Sequence, residues 1–249
     1  MKRLLQLLMI SLLFSCARPQ EESKDFSPQL IAHAGGVVDS CIYTNSREAM
    51  ERSLAKGYRF IEFDLLFTSD SVLVAAHSWE RFNSMTGYED WGDSVPAYSD
   101  FVSRKICGRY TPLSAREINS FFEHNDSLYL VTDKVSDPEV LQEHFPSLKH
   151  RMVVEAFSFQ HYCRLKSQGY YRVLYSCMAR DLNATVFSSS IREVDWFALH
   201  TSGFDSHLFK FVNELYDFDI ALFTVDDIDA VPVEFQKSVK MVYTNFIEP

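Results

Sequence analysis

Two carboxylates on an apolar segment are the strongest chemical signal in the sequence. Glu62 and Asp64 alternate with apolar residues in the segment 60–66, so in a β-strand both side chains project from the same face. Two buried carboxylates repel each other and lose hydration unless a cation or strong hydrogen-bond donors lie between them. Such oxygen ligands suit hard cations, so the pair predicts a Ca²⁺ or Mg²⁺ site. The alternative is an exposed strand with this face toward solvent.

Two histidines end predicted strands, where they can serve proton transfer. His33 ends the segment 30–33, and His77 follows the segment 72–76. In a barrel, the carboxyl ends of the strands converge on the active face, which would bring both imidazoles to the carboxylate pair. Imidazoles that titrate near neutral pH suit general acid and base catalysis. Glu155 ends another predicted strand, where we expect a metal or substrate contact or a hydrogen-bonded carboxylate at the rim.

Short apolar runs that alternate with amphipathic stretches predict the elements that position these residues. Nine segments are predicted strands: 30–33, 60–66, 72–76, 128–132, 152–156, 172–176, 196–199, 220–225 and 241–244. Six are predicted helices: 46–55, 114–122, 138–144, 159–167, 207–216 and 227–235. Ser114 and Glu117 form a capping-box pattern at the start of one helix. Repeated βα units predict a parallel sheet covered by helices.

The order of these elements predicts an α/β protein with a TIM (β/α)8-type barrel over residues 29–249. Segments 60–66 and 72–76 are joined by a short turn, so at least one connection between the strands is not a helical crossover. Residues 78–112 interrupt the rhythm with Trp and Tyr among Asp, Ser and Gly, which predicts an insertion over one end of the barrel. No glycine-rich phosphate loop follows the first strand, which disfavours an open doubly wound sheet.

The composition narrows the classes of protein and of partner. The chain has 249 residues, 47% of them hydrophobic, and 24 Lys and Arg oppose 34 Asp and Glu for a net charge of −10. This apolar content excludes a disordered or low-complexity protein. The acidic balance argues against nucleic acid as a partner, because phosphate backbones select basic surfaces.

The first residues predict export. Residues 1–15 combine a basic start with an apolar stretch too short to span a bilayer, which is typical of a signal peptide. Leu13-Phe14-Ser15-Cys16 resembles a bacterial lipobox, so we expect Cys16 to carry a lipid and residues 16–28 to form the lipidated N-terminus and tether. The protein would be anchored to a bacterial cell membrane, in the periplasm or at the cell surface. A secretory signal cut nearby and an uncleaved anchor are alternatives. Pairing of the other four cysteines stays open.

Several motifs together resemble the glycerophosphodiester phosphodiesterase family. They are His33-Ala34-Gly35 with Thr44-Asn45-Ser46, Glu62-Phe63-Asp64, residues 68–74 with His77-Ser78, and the segments 111–117, 223–227 and 242–245. The likeness spans roughly residues 29–247. It implies a TIM-barrel, metal-dependent hydrolase that converts glycerophosphodiesters to glycerol phosphate and an alcohol.

This sequence departs from the family pattern at four positions. Ala34 stands where the family usually has Arg, a natural bidentate phosphate ligand. Thr44 replaces a Glu, and Ser78 and Asn245 each replace an Asp. The resemblance therefore implies a divergent branch with a different phosphate pocket, in which Asn45 is a candidate substrate ligand.

The segment 130–134 corresponds to a family strand that supplies a metal ligand and a phosphate-binding Lys. Because side chains alternate along a strand, Asp133 and Lys134 cannot both point inward without a bulge. We favour Asp133 as the third cation ligand and keep Lys134 as a candidate substrate ligand, together with Glu155.

The predicted activity is metal-dependent hydrolysis of a small phosphodiester. A divalent cation held by Glu62, Asp64 and Asp133 would stabilise charge on the phosphoryl oxygens. One of His33 and His77 would act as base and the other as acid, in an order that the sequence leaves open. The alternatives are a phosphatidylinositol phospholipase C-like enzyme that forms a cyclic phosphate, and a non-catalytic surface lipoprotein that binds a phosphorylated glycan or lipid. The oligomeric state stays open.

Overall fold

The computed structural model describes residues 26–177, 193–202 and 218–249. The predicted signal peptide, Cys16 and the predicted helix 207–216 lie outside these residues.

Within the described ranges, no helix combines the length and the apolar character needed to cross a membrane.

The described residues form a closed barrel of eight parallel strands with one antiparallel strand attached. The strands are β1 Gln29–Ala32, β2 Phe60–Phe67, β3 Leu73–Ala75, β4 Tyr129–Asp133, β5 Met152–Ala156, β6 Arg172–Cys177, β7 Trp196–His200, β8 Asp219–Phe223 and β9 Val239–Thr244. They pair in the order β1-β9-β8-β7-β6-β5-β4-β2, and pairing of β1 with β2 closes the ring. This confirms the predicted TIM-type barrel.

In the described ranges, helices cover the outside of the ring. They are α1 Arg47–Ala55, α2 Trp79–Met85, α3 Tyr98–Ser103, α4 Ala115–Glu123, α5 Pro138–His144, α6 Phe159–Ser167 and α7 Val233–Gln236. Local chemistry sets their starts: Ser46 caps α1, and Ser114 with Glu117 forms the predicted capping box at α4.

One predicted helix is wrong in extent. The segment 227–235 forms a single 3₁₀ turn, Ile228–Ala230, and then the short α7. Pro232 explains the break, because the residue before a proline avoids the helical region, and Val231 is extended with φ −78° and ψ 114°.

The short turn after β2 makes the predicted non-helical connection. Strand β3 runs antiparallel to β2, with Leu65 paired to Ala75, and stays outside the closed ring. The segment 78–112 packs against this hairpin and α1: Phe82 of α2 stacks on Phe101 of α3 at 4.6 Å between ring centroids.

A buried arginine organises the inserted segment. Arg104 donates to Asn83 Oδ1 at 2.7 Å and pairs with Asp100. Its guanidinium also lies 4.0 Å from the Tyr88 ring centroid and 4.7 Å from that of Trp91. These contacts satisfy the buried charge and hold the segment together.

Strict alternation along the strands separates two cores. On β2, Ile61, Phe63 and Leu65 face the helices, while Phe60 packs inside the barrel with residues of the other strands. The inward series on β2 continues from Phe60 to Glu62 and Asp64, so the same periodicity that fills the barrel carries the two carboxylates to its active end.

Candidate active site

Three carboxylates meet where the middle of β2 lies beside the end of β4. Asp64 is directly opposite Asp133 in the parallel register, and Glu62 lies one inward position earlier on β2. One oxygen of each lies within 4.8 Å of the others, and no described group beyond these three forms such a cluster of metal-ligating side chains. Glu62 and Asp64 are each only 1% exposed, so the alternative of a solvent-facing strand is wrong.

The hydrogen bonds of Glu62 leave one of its oxygens without a partner. Oε2 accepts a hydrogen bond from the backbone N–H of Ala34 at 2.6 Å, whereas the buried Oε1 has no partner. Burial, and then the charges of Asp64 and Asp133, raise the pKa of Glu62 well above its ordinary value. An unsatisfied buried oxygen among like charges is what a bound divalent cation would relieve, so the donor set fits a Ca²⁺ or Mg²⁺ ion.

Asp133 and Lys134 both reach the site, which corrects the expectation that only one could point inward. Strand β4 ends at Asp133, and Lys134 then takes a left-handed conformation with φ 70°. This turn returns Lys134 Nζ to 2.9 Å from Asp133 Oδ2 and 3.4 Å from Asp64 Oδ1. Burial alone would lower the pKa of Lys134, but the charges of Asp133 and Asp64 raise it above its ordinary value.

Asn45 holds Asp64 in place through two hydrogen bonds. Its Nδ2 donates to Asp64 Oδ2 at 3.0 Å, and the backbone N–H of Asp64 donates to Asn45 Oδ1 at 3.2 Å. The side chain is fully buried, and it is not among the residues that line the pocket described below. Both ends of the amide orient Asp64, and a direct substrate contact by Asn45 stays a prediction.

The two predicted catalytic histidines lie on either side of a tyrosine. The ring centroid of Tyr43 is 4.7 Å from that of His33 and 5.0 Å from that of His77, with near-perpendicular rings in both contacts. The guanidinium of Arg81, on α2, lies 4.3 Å from the Tyr43 centroid. Sequence reasoning missed Tyr43 and Arg81. Tyr43 directly precedes the Thr44-Asn45-Ser46 motif, but nothing in the spacing places its ring between the histidines.

Both histidines are neutral at neutral pH in the free protein. Burial lowers the pKa of His33 to about 4, against the opposing charge of Asp133. Burial, and then the positive charges of Lys134 and Arg81, lower the pKa of His77 to about 4. The expectation of imidazoles that titrate near neutral pH is therefore wrong for the free protein.

A pocket of about 410 Å³ joins most of these groups at the carboxyl ends of the strands. Its lining residues are His33, Glu62, Asp133, Lys134, Glu155, Phe157, Tyr175, Ser176, Phe223 and Tyr243. His77 is not among them and lies beyond Tyr43. The pocket thus brings together five of the predicted site residues and leaves His77 at its side.

Glu155 is buried in this pocket, not solvated at its rim. Its Oε1 accepts a hydrogen bond from Tyr243 Oη at 2.5 Å, inside the barrel. Burial and the charge of Asp133 raise the pKa of Glu155 to about 8. It lies outside the three-carboxylate cluster, so a neutral, hydrogen-bonding Glu155 is the form that the fold favours.

A model of the glycerophosphoryl diester phosphodiesterase family matches residues 34–241. The chain belongs to the glycerophosphoryl diester phosphodiesterase family. The resemblance seen in the sequence is thereby confirmed, and the chain is assigned to the phosphoric diester hydrolases.

Solved structures of glycerophosphodiester phosphodiesterases share the fold. The enzyme from Parabacteroides distasonis is 16% identical with a TM-score of 0.61, covering 87% of this chain and 92% of that one. The enzyme from Thermotoga maritima is 15% identical with a TM-score of 0.60, covering 88% and 95%. A phosphodiesterase from Oleispira antarctica in complex with the product sn-glycerol-3-phosphate is 16% identical with a TM-score of 0.62, covering 89% and 94%. A search of curated protein sequences gives no significant match.

The departures from the phosphodiesterase family pattern have local structural roles. Ala34 has a left-handed backbone, φ 51°, that turns its N–H toward Glu62. Thr44 Oγ1 hydrogen-bonds to Ser46 Oγ, and Ser78 caps α2. Asn245 Nδ2 donates to Asp226 Oδ2 at 3.0 Å. None of these four side chains lines the pocket, so charges for the substrate phosphate must come from elsewhere.

Proposed function

We propose that this family member hydrolyses glycerophosphodiester-type substrates to glycerol phosphate and an alcohol, with a divalent cation at Glu62, Asp64 and Asp133. The observation that carries the proposal is the buried acidic cluster with the unpartnered Glu62 Oε1, in the same pocket as His33. Lys134 pairs with Asp133 and Asp64 but leaves Glu62 Oε1 without a partner, so the cluster still has a place for a cation, and a phosphodiester hydrolase needs such a site.

The cation, when bound, supplies Lewis-acid stabilisation of charge on the phosphoryl oxygens. Around it, Asn45 holds Asp64 in place, and the backbone N–H of Ala34 fixes one oxygen of Glu62. The ligands are therefore preorganised by hydrogen bonds from these groups. Oxygen ligands alone accommodate Ca²⁺ and Mg²⁺, and the experiment below compares the two.

His33 and His77 carry the proton transfers in this proposal. Thr224 Oγ1 lies 3.2 Å from His33 Nδ1 and orients the ring, which leaves Nε2 for proton transfer. A neutral imidazole is competent as a base at neutral pH. An anionic phosphodiester beside the rings would raise the histidine pKa values, because a negative charge favours the protonated form, and so would prepare the acid.

Lys134 is the pocket cation that can take over the role of the family arginine, whose position Ala34 occupies. Lys134 Nζ lies in the pocket, paired with Asp133 and Asp64, and Arg81 lies over Tyr43 beside His77. Lys134 can balance the charge of a phosphodiester in the pocket, and Arg81 adds positive charge beside His77. This arrangement supports a phosphate pocket built differently from the usual one in the family.

The decisive experiment assays the purified full chain on glycerophosphocholine, with products followed by phosphorus NMR. We expect turnover that EDTA abolishes and that Ca²⁺ or Mg²⁺ restores, with glycerol phosphate as the product. A cyclic phosphate product would instead indicate the phospholipase C-like reaction. Binding without turnover, unchanged in His33→Ala, would indicate a non-catalytic binding protein, and turnover unaffected by chelator would contradict the cation site.

The leaving group separates the two histidine roles. An aryl phosphodiester releases a weakly basic phenolate that needs no protonation, whereas glycerophosphocholine releases a basic alkoxide. The histidine variant that lacks the general acid should keep most of its activity on the aryl phosphodiester and lose its activity on glycerophosphocholine. The variant that lacks the base should lose both. Equal losses in both variants on both esters would contradict the division of roles.

We also propose that the chain is exported and lipid-anchored through Cys16. The proposal is supported by the basic and apolar start of residues 1–15 and the lipobox-like residues before Cys16. Metabolic labelling with an alkyne fatty acid should mark the wild type in the membrane fraction, and Cys16→Ser should remove the label. A labelled Cys16→Ser variant, or an unlabelled soluble wild type, would contradict the anchor.

A further inference from the structure

Two loops meet beside the active site and are tied together. In the first, Val38 and Cys41 exchange two backbone hydrogen bonds, at 3.1 and 2.8 Å. In the second, Ile106 and Tyr110 form a similar pair, at 2.9 Å in both directions. Both loops are therefore tight and well-defined turns.

Asp39 joins the two turns. Tyr110 Oη donates to Asp39 Oδ2 at 3.1 Å, and Arg109 pairs with the same oxygen at 3.4 Å. Tyr110 Oη also lies 3.5 Å from the carbonyl oxygen of Val38. Asp39 lies in the loop before α1, and Arg109 and Tyr110 lie at the end of the inserted segment. Contacts between residues far apart in the sequence therefore hold the two turns together.

Each turn carries one cysteine at this junction. Cys41 is half-buried and packs against the apolar cluster that includes Ile106 and Tyr110. Cys107 is exposed, and its thiol hydrogen-bonds to Cys41. Although the residue is exposed, partial desolvation of its sulfur and this hydrogen bond raise the pKa of the Cys107 thiol to about 11. The two cysteines therefore face each other across the junction of the two turns.

We propose that Cys41 and Cys107 form a disulfide bond when the folded protein meets a disulfide oxidant, such as a dithiol oxidoreductase in its oxidised form or oxidised glutathione. One cysteine thiolate attacks a sulfur of the oxidant, breaks its S–S bond and forms a mixed disulfide. The second cysteine then displaces the oxidant's remaining sulfur and forms the Cys41–Cys107 bond. Two protons and two electrons pass to the oxidant, which leaves as two thiols.

The bond would fix a loop that carries active-site residues. Tyr43, whose ring lies between the two histidines, follows Cys41 by two positions. Non-glycine residues of both turns are left-handed, with φ 44° at Asp39, 68° at Ser40 and 51° at Cys107. Such backbone conformations persist only when neighbouring structure imposes them, and a covalent link between the turns would do so.

The test incubates the native full chain with oxidised glutathione, blocks free thiols with iodoacetamide in denaturant and digests with trypsin without reduction. Cleavage after Lys105 and Arg109 isolates Cys107 in the peptide Ile106–Arg109. We expect this peptide to be joined to the one that contains Cys41. Cys41→Ser and Cys107→Ser should each remove the joined species, while the control Cys163→Ser should keep it.

Thermal unfolding of the wild type gives a second readout that needs no substitution. Oxidised protein should unfold roughly 5–15 °C above the same protein reduced with a phosphine, because the bond closes a long loop of the unfolded chain. Cys107→Ser should show no such difference. Recovery of Cys41 and Cys107 as separate alkylated peptides, a glutathione adduct on Cys107 that never resolves, or a link from Cys41 to another cysteine would overturn the proposal. None of these outcomes depends on catalysis.

Discussion

Replacing Glu62 by glutamine should stabilise the cation-free protein and abolish its activity. Glutamine keeps the shape of the side chain and can still accept the hydrogen bond from Ala34 N–H through its amide oxygen. It removes the ionisable group that repels the charges of Asp64 and Asp133. The same substitution removes a ligand that the proposed cation needs, so stability and function should change in opposite directions.

The magnitude follows from the geometry of the cluster. An oxygen of Glu62 lies within 4.8 Å of one on Asp64 and one on Asp133, and at an effective dielectric constant near 20 each such repulsion is about 3.5 kcal/mol. Protonation of Glu62, whose pKa is raised well above its ordinary value by burial and by these two charges, limits that cost. Without the cation, we expect Glu62→Gln to raise the free energy of unfolding by about 1–3 kcal/mol. Each kcal/mol corresponds to a rise in Tm of about 2–4 °C.

The assay is thermal unfolding at neutral pH, in EDTA and then in saturating Ca²⁺ or Mg²⁺. At about 100 times its Kd, a cation should add about 2.7 kcal/mol to the wild type and almost nothing to Glu62→Gln. Turnover of glycerophosphocholine is measured on the same samples. Glu51→Gln is the matched control, because Glu51 is exposed on α1 and is not part of the acidic cluster.

Three results would refute this reasoning. A clear loss of stability of Glu62→Gln in EDTA would show that the carboxylate is satisfied without a cation. Equal stabilisation of wild type and Glu62→Gln by the cation would place the cation elsewhere. Wild-type turnover in Glu62→Gln would remove this residue from the chemistry.

Three further predictions concern groups around the site and the fold. Asn45→Ala should lower the free energy of unfolding, measured with urea, by about 2–4 kcal/mol, because two buried groups of Asp64 lose their hydrogen-bond partner. A decrease below about 1 kcal/mol would contradict this. Glu155 binds its proton more tightly when folded, since burial raises its pKa from 4.5 to about 8, so the free energy of unfolding should fall as pH rises between these values. Glu155→Gln should remove that fall when urea unfolding is repeated across pH, and an unchanged profile would contradict the assignment. Arg104→Leu should cost about 2–4 kcal/mol in the same assay, because Asn83 loses a buried partner; Arg116→Leu, in exposed sequence on α4, is the control and should change little.

Alternation in the sequence predicts most of the fold and the position of the acidic pair. The period-two pattern on β2 places Glu62 and Asp64 on one face, and the structure has both side chains inside the barrel. Capping chemistry predicts the start of α4, where Ser114 and Glu117 bond as expected. These features are local or periodic, so one sequence suffices to find them.

Features that depend on single backbone angles or on burial escape such reasoning. Lys134 reaches the cluster because it follows β4 in a left-handed conformation, and no residue type in that segment predicts this conformation. The pKa values of His33 and His77 depend on how deeply the neighbours bury each ring. Asn45 is part of a recognisable motif, but whether its amide faces substrate or Asp64 is decided by tertiary packing.

The attachment of His77 outside the ring divides the active site into two parts that can change separately. The three carboxylates belong to strands of the closed barrel, whereas His77 follows β3, which lies outside the ring, pairs with β2, bridges to Ser114 and packs on the inserted segment. Substitutions in residues 78–112 can therefore shift this histidine without disturbing the acidic cluster. Evolution, or a laboratory selection for a new leaving group, would accumulate changes in that segment first and leave the barrel strands untouched.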